Sequence, residues 1–287
     1  MSRPERDPVT GRLTTGHEWN GIKELNSPVP RIVFATLILG VIYMVIATIL
    51  LPAWPGISGY TRGILGVDQR DIVSSAVERA RLDRTAWTDP VDNQSLEESS
   101  ADPALMEIVR EAGNTLFVDN CAACHGREGT GGPGFPNIAA ATLSFGDDLD
   151  ALEQTIRVGI NSGLAGTRTA QMPAFGSGML ARADISLLVG YVLGLSFDDD
   201  TRPDTAAADL FASRCAGCHG AEATGNTMIG APNLTDPYWI HGGERQAVFT
   251  SISGGRAGHM PHWEGRLSPT DIRVLALYVH DLRENNR

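Results

Sequence analysis

Two short segments of this 287-residue chain hold residues that could do chemistry together: Cys121-Ala-Ala-Cys124-His125 and Cys215-Ala-Gly-Cys218-His219. In a Cys-x-x-Cys-His run the two thiols are spaced to form thioethers with the two vinyl groups of one haem. The adjoining histidine is then placed under the iron as an axial ligand. A redox dithiol or half of a zinc site also uses Cys-x-x-Cys, but neither needs the histidine that follows. All four cysteines of the chain fall in these two motifs, and each motif runs on into a glycine, Gly126 or Gly220. The expectation is two covalently bound haem c groups, attached through Cys121, Cys124, Cys215 and Cys218, with His125 and His219 on the irons.

An iron with one histidine needs a second ligand unless it binds a small molecule. Thioether sulfur favours reduced iron and raises its potential. Of seven methionines, only Met172 and Met260 recur in parallel, each followed by proline and each well downstream of its histidine. They are the expected sixth ligands, against the plainer reading of gap-filling core methionines. His241, His259 and His262 are rival ligands for the second iron only. Spacing does not say which methionine meets which iron: each could serve its own domain, or the two domains could exchange them.

The elements that must position these residues are repeated. Phe117 and Phe211 stand four residues before their motifs, and Asp184–Leu195 matches Asp271–Leu282 without a gap. The reading is two homologous, mostly helical domains at 104–197 and 205–287, joined by an Asp-rich hinge at 198–204. Each would have an opening helix (Leu105–Asn120; Ala206–Arg214) and a middle helix (Asp148–Ile160; Gly243–Ser253). A closing helix with an ordinary apolar core stripe would begin near Ala183 and Pro269. Residues 52–103 read as a linker, helical at most around Ile72–Leu82, with loop predicted at Thr88-Asp-Pro and from Asp92 to Asp102.

Ile32–Leu51 is a twenty-residue run without a charge, enough for one membrane-spanning helix. It lies too far from the N-terminus, and ends in too poor a cleavage site, to read as a signal peptide. Arg3, Arg6, Arg12, Lys23 and Arg31 precede it and only Arg62 and Arg70 closely follow it. The basic bias therefore predicts a cytoplasmic segment at 1–31 and an exported remainder; covalent haem attachment points to the periplasmic face of a bacterial inner membrane. Five basic and four acidic residues precede the span, so the −11 of the whole chain leaves −12 to the exported part. That charge argues against nucleic acid and towards a basic partner.

The two domains resemble class I cytochromes c, and the full layout resembles the dihaem subunits of cbb3-type cytochrome c oxidases, the CcoP or FixP family. The resemblance rests on His17-Glu-Trp-Asn-Gly-Ile-Lys-Glu-Leu-Asn-Ser-Pro-Val-Pro-Arg31 before the span, and on Leu51-Pro-Ala-Trp-Pro55 and Gly63-Ile-Leu-Gly66 after it. Asn20, Ser27 and Ile32-Val33 depart from the family pattern. Pro136-Asn137 and Pro232-Asn233 resemble the Gly-Pro-Asn-Leu stretch of small cytochromes c. That likeness implies a proline carbonyl accepting the histidine's other N–H; a plain loop proline is the alternative. The family implies electron transfer without a catalytic site in this chain: electrons from a donor cytochrome c pass towards a monohaem cytochrome subunit and the haem–copper catalytic subunit. A free-standing membrane-anchored dihaem shuttle is the nearest rival. A dihaem peroxidase would need an open iron, and a sensor a replaceable ligand.

Overall fold

The computed structural model describes residues 3–196 and 205–286. The hinge expected at 198–204 lies outside the described residues. The chain divides into two compact units, Met1–Leu82 and Asp83–Arg287.

The first unit begins with an antiparallel hairpin, β1 (Thr14–Trp19) and β2 (Ile22–Leu25). Its two-residue turn is Asn20-Gly21, with φ of 49° and 87°. Asn-Gly is the residue pair that most readily takes the two left-handed positions of such a turn. This hairpin was not foreseen, although its signal lay in the sequence. Helix α1 (Arg31–Leu50) follows, one residue earlier at each end than the apolar run. Pro30 has the φ of −58° that a proline ring imposes, and Leu51 is extended ahead of Pro52. None of the residues of α1 is buried by the rest of the chain, and by length and composition the helix could cross a membrane.

The linker is more helical than its composition predicted. Helix α2 (Gln69–Asn93) runs unbroken through Thr88-Asp89-Pro90, and α3 (Leu96–Ser100) occupies what read as polar loop. Pro90 lies inside this helix and gives up one backbone N–H bond there. Val91 beside it is fully buried, and Arg273 Nε donates to its carbonyl at 2.7 Å. Ser95 and Glu98 cap each other's backbone N–H at the start of α3. Tertiary anchoring thus overrode the turn chemistry.

Within the second unit the repeat is plain: α4 (Pro103–Asn120), α5 (Ala122–His125), α6 (Leu149–Val158) and α7 (Arg182–Ser196), then α8 (Thr205–Arg214), α9 (Ala216–His219), α10 (Arg245–Gly254) and α11 (Pro269–Glu284). Opening helix α4 starts two residues early because Asp102 caps it and Pro103 takes its first position. The middle helices stop at Gly159 and Gly255, both at positive φ.

The packing crosses the sequence order. One core joins α4 and α6 to α11, the closing helix of the second repeat. The other joins α8 and α10 to α7, the closing helix of the first. Each fully buried phenylalanine of an opening helix meets the tyrosine of the other repeat's closing helix: Phe117 with Tyr278 at 5.6 Å, Tyr191 with Phe211 at 5.2 Å between ring centres. At Gly113 a Cβ would fall 2.6 Å from that of Tyr278, so α4 and α11 cross in near contact. The spans 104–197 and 205–287 therefore delimit sequence repeats whose closing helices are exchanged in space.

Arg283 locks one exchange. Only 3% exposed, it donates from Nη1 to the carbonyls of Ile138 and Ala141 and from Nη2 to Asp147. Ser196, its counterpart, donates to the carbonyl of Leu234, the counterpart of Ile138. We expect Arg283→Ala to cost about 2–4 kcal/mol, since it strips several partners from one buried cation site. Chemical denaturation monitored by circular dichroism would show it, and Arg110→Ala, whose partner Asp281 lies at the surface edge, should cost much less.

Candidate haem sites

Each Cys-x-x-Cys-His motif is a single helical turn set directly after an opening helix. The N–H groups of Cys124 and His125 both return to the carbonyl of Cys121, and those of Cys218 and His219 to that of Cys215. This turn puts both thiols and the imidazole of one motif on one side of the chain. Gly126 (φ 74°) and Gly220 (φ 82°) then turn the backbone away. Cys121 and Cys215 face the cores and are partly buried, whereas Cys124 and Cys218 are exposed.

A proline carbonyl approaches each histidine ring. Nδ1 of His125 is 3.4 Å from the carbonyl oxygen of Pro136, and Nδ1 of His219 is 3.0 Å from that of Pro232. A proton held on Nδ1 leaves Nε2 with the lone pair that a metal ligand needs. Burial lowers the pKa of both histidines, against the smaller opposing effect of those carbonyls. Burial also pushes Cys121 and Cys215 up to about 11, with Coulombic repulsion from Cys124 and Cys218 adding to it.

The methionines follow the exchange. Met260 packs against the first core together with Cys121 and Ala122; Met172 packs against the second with Cys215 and Ala216. Backbone pairing holds each there. Met260 and Ile160 exchange both hydrogen bonds, at 2.9 and 3.0 Å, and Met172 and Arg256 do so at 2.7 and 3.1 Å. Ile160 follows α6 and Arg256 follows α10, so each methionine is fastened to the middle helix of the other repeat. Glycine makes the approach possible. A Cβ on Gly159 would lie 2.4 Å from the carbonyl oxygen of Met260, and one on Gly255 would lie 2.5 Å from that of Met172. The echo of Met-Pro was legible in the sequence. The role of Gly159 and Gly255 was missed, though a glycine closing each middle helix was its visible signal.

Of the rival ligands, His241 and His259 are exposed, and His262 is half-buried, as Met172 and Met260 are. Met179 and Met228 face solvent, and Met106 is buried in α4.

These residues fit a haem on the chemistry of the donor set: each turn carries two thiols and an imidazole, and its first cysteine shares a core with one methionine. One further observation fits. Trp239 packs on the second core, yet its buried Nε1–H has no partner among the described residues. An unpaired buried donor calls for an acceptor, and a haem's carboxylates supply one. The first repeat has Leu143 at the matching position.

Three family models match. "N-terminal domain of cytochrome oxidase-cbb3, FixP" covers residues 11–58, "Cytochrome c" covers 110–196, and "Cytochrome C oxidase, cbb3-type, subunit III" covers 202–279. The cbb3-type cytochrome c oxidase subunit FixP of Bradyrhizobium sp. (strain ORS 278) is 42% identical over 284 residues, with 97% of each chain covered. FixP of Bradyrhizobium diazoefficiens is 43% identical with the same coverage. Subunit CcoP of Cereibacter sphaeroides is 38% identical over 94% of each chain. With tandem cytochrome c domains, c-type haem and a helix able to anchor it in a membrane, this chain belongs to the FixP/CcoP family of cbb3-type cytochrome c oxidase subunits and serves it in electron transfer.

Proposed function

We propose that Cys121 and Cys124 bind one haem and Cys215 and Cys218 the other. His125 and Met260 would then hold the first iron, and His219 and Met172 the second. The observation that carries this assignment is the pairing of each methionine with the opposite repeat. When bound, each haem supplies a one-electron couple. The chain supplies the rest. Pro136 and Pro232 keep the Nδ1 protons in place and strengthen Nε2 as a donor. The two methionines favour reduced iron, and the apolar cores exclude water, which keeps reorganisation small. Gly159→Ala should loosen Met260 and shift the first haem alone; a redox titration that resolves both haems would show it.

In this reading the chain takes electrons from a donor cytochrome c and relays them to a monohaem cytochrome subunit and the haem–copper catalytic subunit. Its N-terminus is cytoplasmic and its haem domains are periplasmic, in a bacterial inner membrane. The −12 exported part favours a basic donor face, so the association rate should fall steeply as salt rises towards and beyond about 0.15 M, where the Debye length is about 8 Å. Stopped-flow reduction across an ionic-strength series measures this. A flat profile would remove steering from the account.

The test of the assembly is oxygen uptake by the tagged protein, extracted gently from membranes and fed reduced cytochrome c. Cyanide-sensitive uptake, with b-type haem and copper in the same particle, supports the relay. A two-haem protein that never co-purifies with a partner or consumes oxygen supports the anchored shuttle instead.

A further inference from the structure

Two of the segments that carry the family resemblance, Leu51–Pro55 and Gly63–Gly66, have no part in the haem sites. In the structure they meet at the end of α1. Ile64 N–H donates to the carbonyl of Ile49 at 3.0 Å, and Leu65 N–H to that of Leu50 at 3.1 Å. These carbonyls belong to the last turn of α1, where a helix leaves its acceptors without partners. The close approach depends on Gly63, at φ 69°, where a Cβ would lie 2.5 Å from the oxygen of Leu50. Between the two segments Thr61 N–H donates to the Trp54 carbonyl at 2.9 Å, and Trp54 N–H to Thr61 Oγ1 at 3.1 Å. Pro55 and Tyr60 pair as well. The chain does not leave the helix at Leu51; it turns back and is fastened to it.

This turned-back segment is apolar on its outside. Trp54, Ile57, Tyr60, Ile64 and Leu65 are all exposed, Ile57 completely. Arg62 is its one charged residue. The helix it is fastened to is likewise apolar and exposed along its length. A protein neighbour covers one side of such an element, whereas a bilayer surrounds it. Trp54 and Tyr60 have the apolar body and polar edge that settle at the level of lipid headgroups.

We propose that residues 51–66 form a collar seated in the lipid interface, so that the chain leaves the membrane near Val67 and not at Leu51. The occupant of its apolar surface is lipid. The collar fixes the depth of α1 and the level from which α2 starts, and Gly63 is the residue that holds it to the helix.

The full haem-loaded chain in lipid nanodiscs tests this. On the thioether reading above it has no free thiol, so Ile57→Cys, Ile64→Cys, Leu39→Cys and Glu97→Cys each accept one nitroxide. Leu39, in mid-helix, marks inserted chain, and Glu97, exposed on α3, marks water. Collision with oxygen relative to a nickel chelate should be several-fold higher at 57 and 64 than at 97, and highest at 39. Adding Gly63→Val should bring position 57 towards the value at 97 while leaving 39 unchanged. Values at 57 and 64 equal to that at 97 would overturn the proposal. So would labels open to the chelate in nanodiscs and shielded from both reagents only in the intact oxidase, which would assign the surface to a partner subunit.

Discussion

Leu275→Asp is expected to abolish the first haem site and spare the second, although residue 275 lies in the second sequence repeat. Leu275 is fully buried on α11, in the core that α4 and α6 complete. An isolated carboxylate there loses a packed side chain and is buried without a partner, a cost of about 4–5 kcal/mol or more. The reciprocal change, Leu188→Asp on α7, strikes the core of α8 and α10 and should spare the first haem. Proteolysis and mass spectrometry of each variant would show which Cys-x-x-Cys-His peptide still carries haem. If each domain packed on its own closing helix, the two outcomes would be reversed.

Met260→His is expected to lower the potential of the haem on Cys121 and Cys124. Imidazole in place of thioether removes a preference for reduced iron. The shift should be on the order of 0.1–0.3 V, a fraction of the roughly 0.8 V over which axial ligation tunes haem. The neighbouring haem should move only by the small electrostatic coupling between the two irons. Met172→His should do the same to the haem on Cys215 and Cys218. Spectroelectrochemical titration resolves both steps, and an unchanged titration for either variant would remove that methionine from the iron.

The chemistry was legible in the sequence because it is local. Cys-x-x-Cys-His is one helical turn, and its meaning does not depend on what packs above it. Opening, middle and closing helices were legible for the same reason, from caps and apolar spacing such as that of Leu275, Tyr278 and Leu282. The membrane run was displaced by only one residue, because Pro30 and Pro52 punctuate it. Two kinds of feature were not legible. Helix through Pro90 depends on Val91 and Arg273, which are far apart in sequence. The exchange depends on which of two nearly identical closing helices each opening helix selects. Phe117 could meet Tyr191 or Tyr278, since both repeats offer a tyrosine at the same register. What separates them lies in side chains that differ between the repeats, such as Arg283 against Ser196 and Asp147 against Gly243. A pattern search for likeness passes over such differences.

The collar shows a related limit. Gly63-Ile-Leu-Gly66 could be matched to a family pattern, but its purpose emerges only once Ile64 and Leu65 are seen on the carbonyls of Ile49 and Leu50.

The most direct measurement uses a chain that holds only the first haem, made by Cys215→Ala and Cys218→Ala. Met260→His and Met172→His are then introduced separately, and the single potential is titrated. Exchange predicts that Met260→His lowers it and Met172→His leaves it in place. A potential that follows Met172 and ignores Met260 would contradict the account.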